Sequence, residues 1–432
     1  MRKRLLFLCI FLTLSLVCYK FYQHHYKNTK RPDVSVAGFV DMADGLGRHS
    51  VEIIETLKKK FDVHFQNTRD TFYKDVPKNL HKTLKRRNRP QGKVVIYEDT
   101  IMEPEASLIK TFSKTYEKQV RIAYTMFESS RLSPVFVERL HKYFDAVVVP
   151  DPYNVKVYKD SGVTLPIFVI PLGLNLDPFF DAKLKEKPNS PFVFANFSSC
   201  ENRKNSPLLV QAFANAFGNR KDVTLLINAR RGFDTEISAV KKVIEDEKLT
   251  NVTFNINKVS KDVYVENFKS IDCYVSLSKG EGFSIQPREA MALGVPCIVS
   301  DNTAQSTICN SHLVKSVASE IIDSPVYELF VESDFGSNFN VDLVEATNAL
   351  LDVYQNYEKY LSLSKMAREW CSKYRYENLE RLYFTLVKPK HLVFGTEDSI
   401  TENKITTTSK ELIEKYKSIY PKLKITCEHT TY

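Results

Sequence analysis

One tryptophan, 13 glycines and 18 prolines are spread through 432 residues. With so little glycine and proline, collagen-like and low-complexity disordered chains are excluded. The 8 cysteines, at positions 9, 18, 200, 273, 297, 309, 371 and 427, show no paired spacing. Neither a disulfide framework nor a zinc site follows from them, and the redox compartment stays open. There is no short-period repeat, which removes solenoids and propellers. Residues 1–32 contain no acid, and no apolar run reaches the ~20 residues of a full membrane span. What is present is the composition of a folded globular protein, 43% hydrophobic and 26% charged. The length suits two domains of ordinary size, each with its own core.

The net charge of +9 suggests a nucleic-acid partner until it is located. Seven basic residues (Arg2, Lys3, Arg4, Lys20, Lys27, Lys30, Arg31) lie in residues 1–32, leaving 54 basic against 52 acidic side chains beyond them. The surplus flanks an apolar run from Leu5 to Cys18, where it would meet lipid headgroups, and nucleic acid is not an expected partner. Tyr19 to Tyr22, with Lys20 snorkelling, extends the run to about 18 residues. A cleaved secretory signal has a similar apolar length, but the bulky, basic residues that follow offer no small-x-small cleavage site. The expectation is a single-pass membrane anchor within residues 1–30, its apolar part at 5–22. It would be a type II anchor with the chain in the Golgi or ER lumen if the source is eukaryotic, and would hold the chain at the cytoplasmic face if the source is bacterial or viral. Basic residues on both sides leave its orientation open. A second basic stretch, 78–93, reads as a solvated face or as a contact for anionic lipid or an acidic acceptor.

From residue 33 short β-rich runs alternate with amphipathic stretches, the pattern of parallel sheets with helical crossovers. One series of strands is predicted at 34–40, 61–65, 93–97, 121–124, 146–149 and 167–170. A second is predicted at 192–197, 224–228, 253–256, 273–277 and 297–300. The polar stretch 183–189, after Pro171, Gly173 and Pro178, reads as a linker. The predicted fold is α/β, with two doubly wound Rossmann-like domains, 31–180 and 181–365, facing a central cleft. Residues 366–387 return to the first domain as closing helices, and the tail 388–432 is assigned no structure.

The most informative segment is 271–300, IDCYVSLSKGEGFSIQPREAMALGVPCIVS, which reads strand, loop, helix, stop, strand. Glycines in the loop let backbone amides approach a ligand. Pro287 suits a first helical turn, and Gly294 with Pro296 ends the helix. The helix N-terminus lies at the carboxyl end of the sheet and offers free N–H groups to a phosphate. Glu281 in the loop and Glu289 in the helix are separated by seven residues. A bare acid pair at this spacing is a weak signal, since Glu289 could simply favour a first helical turn. The flanking Gly280, Gly282, Phe283 and Ser284, with the run from Glu289 to Ile298, give it context.

In that framing the chain resembles the retaining glycosyltransferases of family 4, whose Glu-x7-Glu motif Glu281 and Glu289 match. The resemblance implies the GT-B fold, with an acceptor domain at 31–180 and a donor domain at 181–365; the expected anchor precedes the part it covers. It implies that Glu281 lies near the donor sugar hydroxyls as a catalytic residue and that Glu289 binds the nucleotide ribose. Gly282, Phe283 and Ser284 would face the pyrophosphate and sugar. A carboxylate accepting from two vicinal hydroxyls makes strong charge-assisted hydrogen bonds.

Three further segments fit the same reading. Arg203 and Lys204, at the end of a strand, match the family's donor-phosphate segment and would neutralise a pyrophosphate leaving group. Ser198 stands where many relatives have an arginine, a charge that Arg203 would have to supply. Gly45-x-Gly47 nearly matches a dinucleotide fingerprint, but the second strand ends Phe65-Gln66 without the acid that NAD requires. The resemblance makes this the glycine-rich loop near the donor phosphate, with Gly47 and Arg48 at the cleft; the simpler reading of Arg48 and His49 is a helix start. Glu128 stands where several relatives place a histidine, a candidate for acceptor activation or a helix-start acid.

The expected activity is transfer of a hexose from a UDP- or GDP-sugar to an acceptor hydroxyl with retention, without metal or other cofactor. The donor half has no Asp-x-Asp near a strand end. The acceptor, whether glycan, lipid-linked or protein, is not read from the sequence. The alternatives are a catalytically silent nucleotide-sugar-binding or scaffold subunit and a nucleotide-sugar epimerase on the same fold.

Overall fold

The computed structural model describes residues 30–42, 44–86, 89–101, 105–114, 116–322 and 335–428. The expected anchor lies outside them. Among the described residues no helix is long and apolar enough to cross a membrane.

The first sheet holds six parallel strands: β1 (Val34–Gly38), β2 (Val63–Asn67), β3 (Val94–Glu98), β4 (Val120–Tyr124), β5 (Ala146–Val149) and β6 (Ile167–Val169). Their order is β2-β1-β3-β4-β5-β6. Segments such as VSVAG, VVIYE and AVVV are buried at every position, as strands covered on both faces must be. The second sheet contains β7 (Phe192–Asn196), β8 (Val223–Ala229), β9 (Val252–Ile256), β10 (Cys273–Ser276), β11 (Cys297–Asp301), β12 (Lys315–Ile322) and β13 (Asn338–Val341). It runs β13-β12-β11-β10-β7-β8-β9, parallel except for β13, which pairs antiparallel with β12. Strand order reverses between β1 and β3 in one sheet and between β7 and β10 in the other. The loops leaving β1, β7 and β10 therefore emerge at the crevices where such sheets bind ligands.

Residues 388–428, given no fold from sequence, form a third sheet. Strands β14 (His391–Phe394), β15 (Ser399–Thr401), β16 (Lys404–Thr407) and β17 (Lys424–Cys427) lie in the order β15-β16-β14-β17, with the helix Lys410–Ile419 before β17. Asn403, at φ 72, turns the β15–β16 hairpin. Leu392, Ile405, Leu412, Ile413 and Tyr416 are buried in the same core cluster as the first domain. Polarity concealed this sheet, because threonines carry much of β16. Thr407 donates to Asp398, whose carboxylate also accepts from Ile167 N–H of β6. The expected closing helices at 366–387 are the end of the helix Tyr357–Cys371 and the helix Tyr376–Val387, joined by a 3₁₀ turn at Ser372–Tyr374.

A buried arginine joins the domains. Arg288, fully enclosed in the helix Ile285–Leu293, reaches Asp151 of the first domain at 3.3 Å. Asp151 in turn caps the helix Pro152–Asp160 and accepts from Thr307 at 2.9 Å. The guanidinium lies 3.9 Å from the Phe283 ring centroid and 4.7 Å from that of Tyr374. It also donates to the carbonyls of Phe283 and Ser284. Removing one member of such a buried pair typically costs about 3–5 kcal/mol. Arg288→Ala should therefore lower the unfolding free energy by about that amount. Urea unfolding followed by tryptophan fluorescence and circular dichroism measures it; a loss below ~1 kcal/mol would remove the arginine from this role.

Candidate active site

Between the two sheets lies a cleft of about 810 Å³, lined by both domains. On the first-domain side the wall begins after β1. Asp44 caps the helix Gly45–Lys58, accepting from the N–H groups of Leu46 at 3.0 Å and Gly47 at 3.5 Å. The helix thus starts at Gly45, and the two glycines expected in a loop belong to its first turn. Gly47 does not line the cleft; a Cβ there would sit 2.6 Å from the Asp41 backbone nitrogen, so the glycine serves close packing. Arg48 does line it. His49 points elsewhere, hydrogen-bonded at 2.8 Å to buried Glu98 and at 3.1 Å to the hydroxyl of Tyr383 in the closing helix.

The second-domain side holds both motif carboxylates. Glu289 is buried and receives Arg48 at 3.0 Å on one oxygen and the Tyr264 hydroxyl at 2.6 Å on the other. Burial and then the neighbouring Glu289 carboxylate push the Tyr264 hydroxyl far above its ordinary pKa, so it stays a proton donor. Arg48 is thus a bridge between the domains, on the very group expected to hold ribose. Glu281 pairs with Arg203 at 3.0 Å and with Lys204, while its own N–H donates to Thr303 at 2.8 Å. Burial alone would raise the Glu281 pKa; Lys204 and then Arg203 outweigh it and hold the carboxyl down, at about 2. Burial, with Arg203 beside it, lowers the Lys204 pKa against the pull of Glu281. Arg203 also lies 3.6 Å from Glu128, which reaches it from the first domain. Four of the expected residues, Glu281, Arg203, Lys204 and Glu128, therefore form one charge cluster. Ser198 is buried and donates to Asn196 at 2.6 Å, leaving Arg203 and Lys204 as the cations of this corner.

The loop between the carboxylates is shaped by the opposite domain. A Cβ on Gly280 would lie 1.9 Å from the Glu128 carbonyl oxygen, and one on Gly282 would lie 2.6 Å from Met126 Cγ. These glycines admit the first-domain backbone, where sequence suggested room for a ligand. Asn154 donates to the Gly282 carbonyl at 2.9 Å, fastening the loop. Phe283 lines the cleft, but its ring is spent on Arg288 and on Tyr374, 5.5 Å away. Ser284, at φ 65, precedes the helix Ile285–Leu293 without forming a side-chain cap. A serine held in the left-handed region is strained, a feature that clusters at functional sites, and it leaves the first-turn amides beside the cleft.

Several cleft residues were not singled out in the sequence. Asp44 meets Arg230 at 2.9 Å, and Asp41 meets Lys258 at 3.1 Å, so ion pairs cross the cleft mouth. Burial alone would raise the Asp44 pKa; Arg230, Arg231 and the Gly47 and Leu46 amides outweigh it and lower it. A basic pair at the end of β8 was readable as a repeat of the β7 pattern, but Tyr264, inside KDVYVENFK, belongs to no motif.

Residues 179–318 match the family model of glycosyl transferases group 1. No curated protein matches the chain in sequence. Among solved structures, a glycosyltransferase from Rickettsia africae superposes at a TM-score of 0.61 and 15% identity, covering 82% of this chain and 99% of that one. Anabaena Alr3699/HepE in complex with UDP-glucose gives 0.60 at 12% identity, covering 81% and 98%. The N-terminal domain of Candida albicans trehalose-6-phosphate phosphatase gives 0.58 at 11%, covering 82% and 98%. The chain has a GT-B architecture with a group 1 glycosyl transferase domain, and together these support a glycosyltransferase.

Two outcomes follow from the geometry. Gly280→Ala should force Glu128 and the loop apart, at a cost of about 1–3 kcal/mol in thermal or urea unfolding; an unchanged midpoint would mean that the domains close differently. The Glu281 ion pairs contribute fully above the ordinary glutamate pKa of ~4.3, and that contribution fades as pH falls from there through about 2. The stability gap between wild type and Glu281→Gln should accordingly narrow across that acid window. A gap constant with pH would show that the pairing has no such weight.

Proposed function

We propose that the chain transfers a hexose from a UDP- or GDP-sugar to an acceptor hydroxyl with retention of configuration. The observation that carries this is Glu289 at the first turns of an uncapped helix, on a cleft whose adjoining corner gathers Glu281, Arg203 and Lys204. In this reading Glu289 takes the ribose hydroxyls, with Arg48 displaced towards the diphosphate. Arg203, Lys204 and the first-turn amides meet the negative charge that develops as the bond from the anomeric carbon to the diphosphate breaks. Glu281 holds the sugar hydroxyls, and Glu128, across the cleft, takes the acceptor proton. The similarity to a structure bound to UDP-glucose supports a nucleotide-sugar donor.

No metal is required in this scheme, because two fixed cations stand where the diphosphate would lie. The N-terminal run is proposed as a single-pass anchor that holds the cleft near a membrane surface. The second reading, a nucleotide-sugar-binding subunit without transfer, is favoured by one contact: Arg48 occupies the ribose carboxylate at 3.0 Å.

Thermal unfolding with UDP and with GDP tests the donor site. One of them should raise the midpoint, and Glu289→Ala should remove at least about 1.5 kcal/mol of that stabilisation, the weight of a charged hydrogen bond. Wild-type protein unmoved by either nucleotide would defeat the reading. Nucleotide release from UDP- and GDP-hexoses separates transferase from silent subunit, and an excess of EDTA should leave that release within about twofold. Collapse of the rate in EDTA would restore a metal to the mechanism.

A further inference from the structure

We propose that the acceptor is an uncharged, hydroxyl-rich carbohydrate, received on a rim of the first domain formed by Glu55, Asp70, Phe72 and Asp75. This rests on the glycosyl-transfer reading above and adds the class of its second substrate.

The two walls of the cleft carry opposite charge. Among the described lining residues, the first domain contributes seven carboxylates and two arginines, while the second contributes six cationic side chains and three carboxylates. A wall so basic suits a nucleoside diphosphate. The acidic wall is unsuited to an anionic acceptor, and neither of its arginines is left over for one. Arg48 is taken by Glu289 in this structure and by the donor diphosphate in the scheme above, while Arg69 pairs with Asp99 and lies 4.0 Å from the Phe39 ring centroid.

The carboxylates of this wall have different occupations. Asp41 and Asp44 answer cations across the mouth, and Glu52 is bonded to Tyr376 at 3.0 Å. Glu55, Asp70 and Asp75 have no hydrogen-bond or ion-pair partner among the described residues, yet all three line the cleft. Phe72 stands among them with 60% of its surface exposed, on a backbone fixed by its N–H bond to the Val40 carbonyl. An exposed ring beside open carboxylates offers an apolar platform for the C–H face of a sugar and strong acceptors for its hydroxyls. A cationic acceptor would suit the carboxylates, but the Lys258 ammonium already lies 5.8 Å from the centre of the Phe72 ring and would oppose it. A neutral polyol meets neither conflict.

The test uses the full chain with whichever UDP- or GDP-hexose gives nucleotide release. Methyl glycosides of glucose, galactose and mannose are compared with their uronate and 6-phosphate counterparts as acceptors. At least one neutral glycoside should accelerate release over water, and its charged counterparts should be poorer in kcat/KM by about tenfold or more. Phe72→Ala should raise the KM for that glycoside by about fivefold. The double variant Asp70→Asn, Asp75→Asn should raise it by about tenfold, with nucleotide-induced stabilisation unchanged. The pair Asp70→Lys, Asp75→Lys should shift preference towards the anionic acceptors. Preference for uronates or phosphates in the wild type, or no acceleration by any neutral glycoside, would overturn the proposal. So would variants that weaken nucleotide stabilisation while sparing acceptor KM, since the rim would then belong to the donor. A wild type that neither binds nucleotide nor releases it would strike the underlying reading, and that outcome is separate because it appears before any acceptor is added.

Discussion

The cleft depends on one desolvated guanidinium. Arg288 lies in the helix that carries Glu289, yet its charge is answered by Asp151 of the other domain and its faces by Phe283 and Tyr374. By donating to the carbonyls of Phe283 and Ser284 it also sets the turn between the two motif carboxylates. A lysine could supply the charge but not the planar fork and stacked faces that hold four segments together. Burial of such a pair adds little net stability over a well-packed apolar replacement. Its weight lies in the penalty for arranging the domains in any way that leaves the charge unanswered.

Around that fixed point the cleft is held by contacts that a ligand could replace. Arg48 spans to Glu289, Arg203 spans to Glu128, and Asp41 and Asp44 reach Lys258 and Arg230. These pairs are partly accessible, whereas the Arg288–Asp151 pair is sealed. Partly exposed ion pairs are worth much less than buried ones and exchange partners at small cost. A diphosphate entering the basic wall would compete for Arg203 and Arg48 with oxygens of its own. The side chains that pre-align the empty cleft are thereby the same ones that would receive the donor, which limits the reorganisation needed on binding.

What sequence made legible was local. The alternation of β-rich and amphipathic runs disclosed the six strands of the first sheet and five of the seven in the second, because each βα unit carries its own period and punctuation; β12 and the antiparallel β13 were not read. Glu281, Glu289, Gly294 and Pro296 could be placed on their loop and helix since one segment of 30 residues contains the whole unit. What failed required a second chain segment. Gly280 and Gly282 read as ligand-facing, and only the approach of Glu128 and Met126 shows what they make room for. Gly47 read as a phosphate loop because its packing against Asp41 leaves no trace in the pattern. The hairpin of the third sheet was missed since β15 and β16 are short and half polar, and Thr407, at the end of β16, is bonded to Asp398.

The same distinction separates the two halves of the cleft. Donor recognition asks for fixed charges and amides at a helix start, and these come from two short segments that follow β7 and β10 of one domain. An acceptor wall asks for surface shape and sign, and here it is assembled from the helix after β1 and the loop after β2. The loop after β2 shows no motif, and Asp70 or Asp75 alone would pass for a solvated loop acid. Only their placement on a cavity, opposite a basic wall and beside an exposed ring, gives them chemical meaning. A fold can thus keep one wall constrained by the leaving group's charge and let the Asp70–Asp75 rim vary with the substrate, since the sealed joint at Arg288 lies apart from that rim.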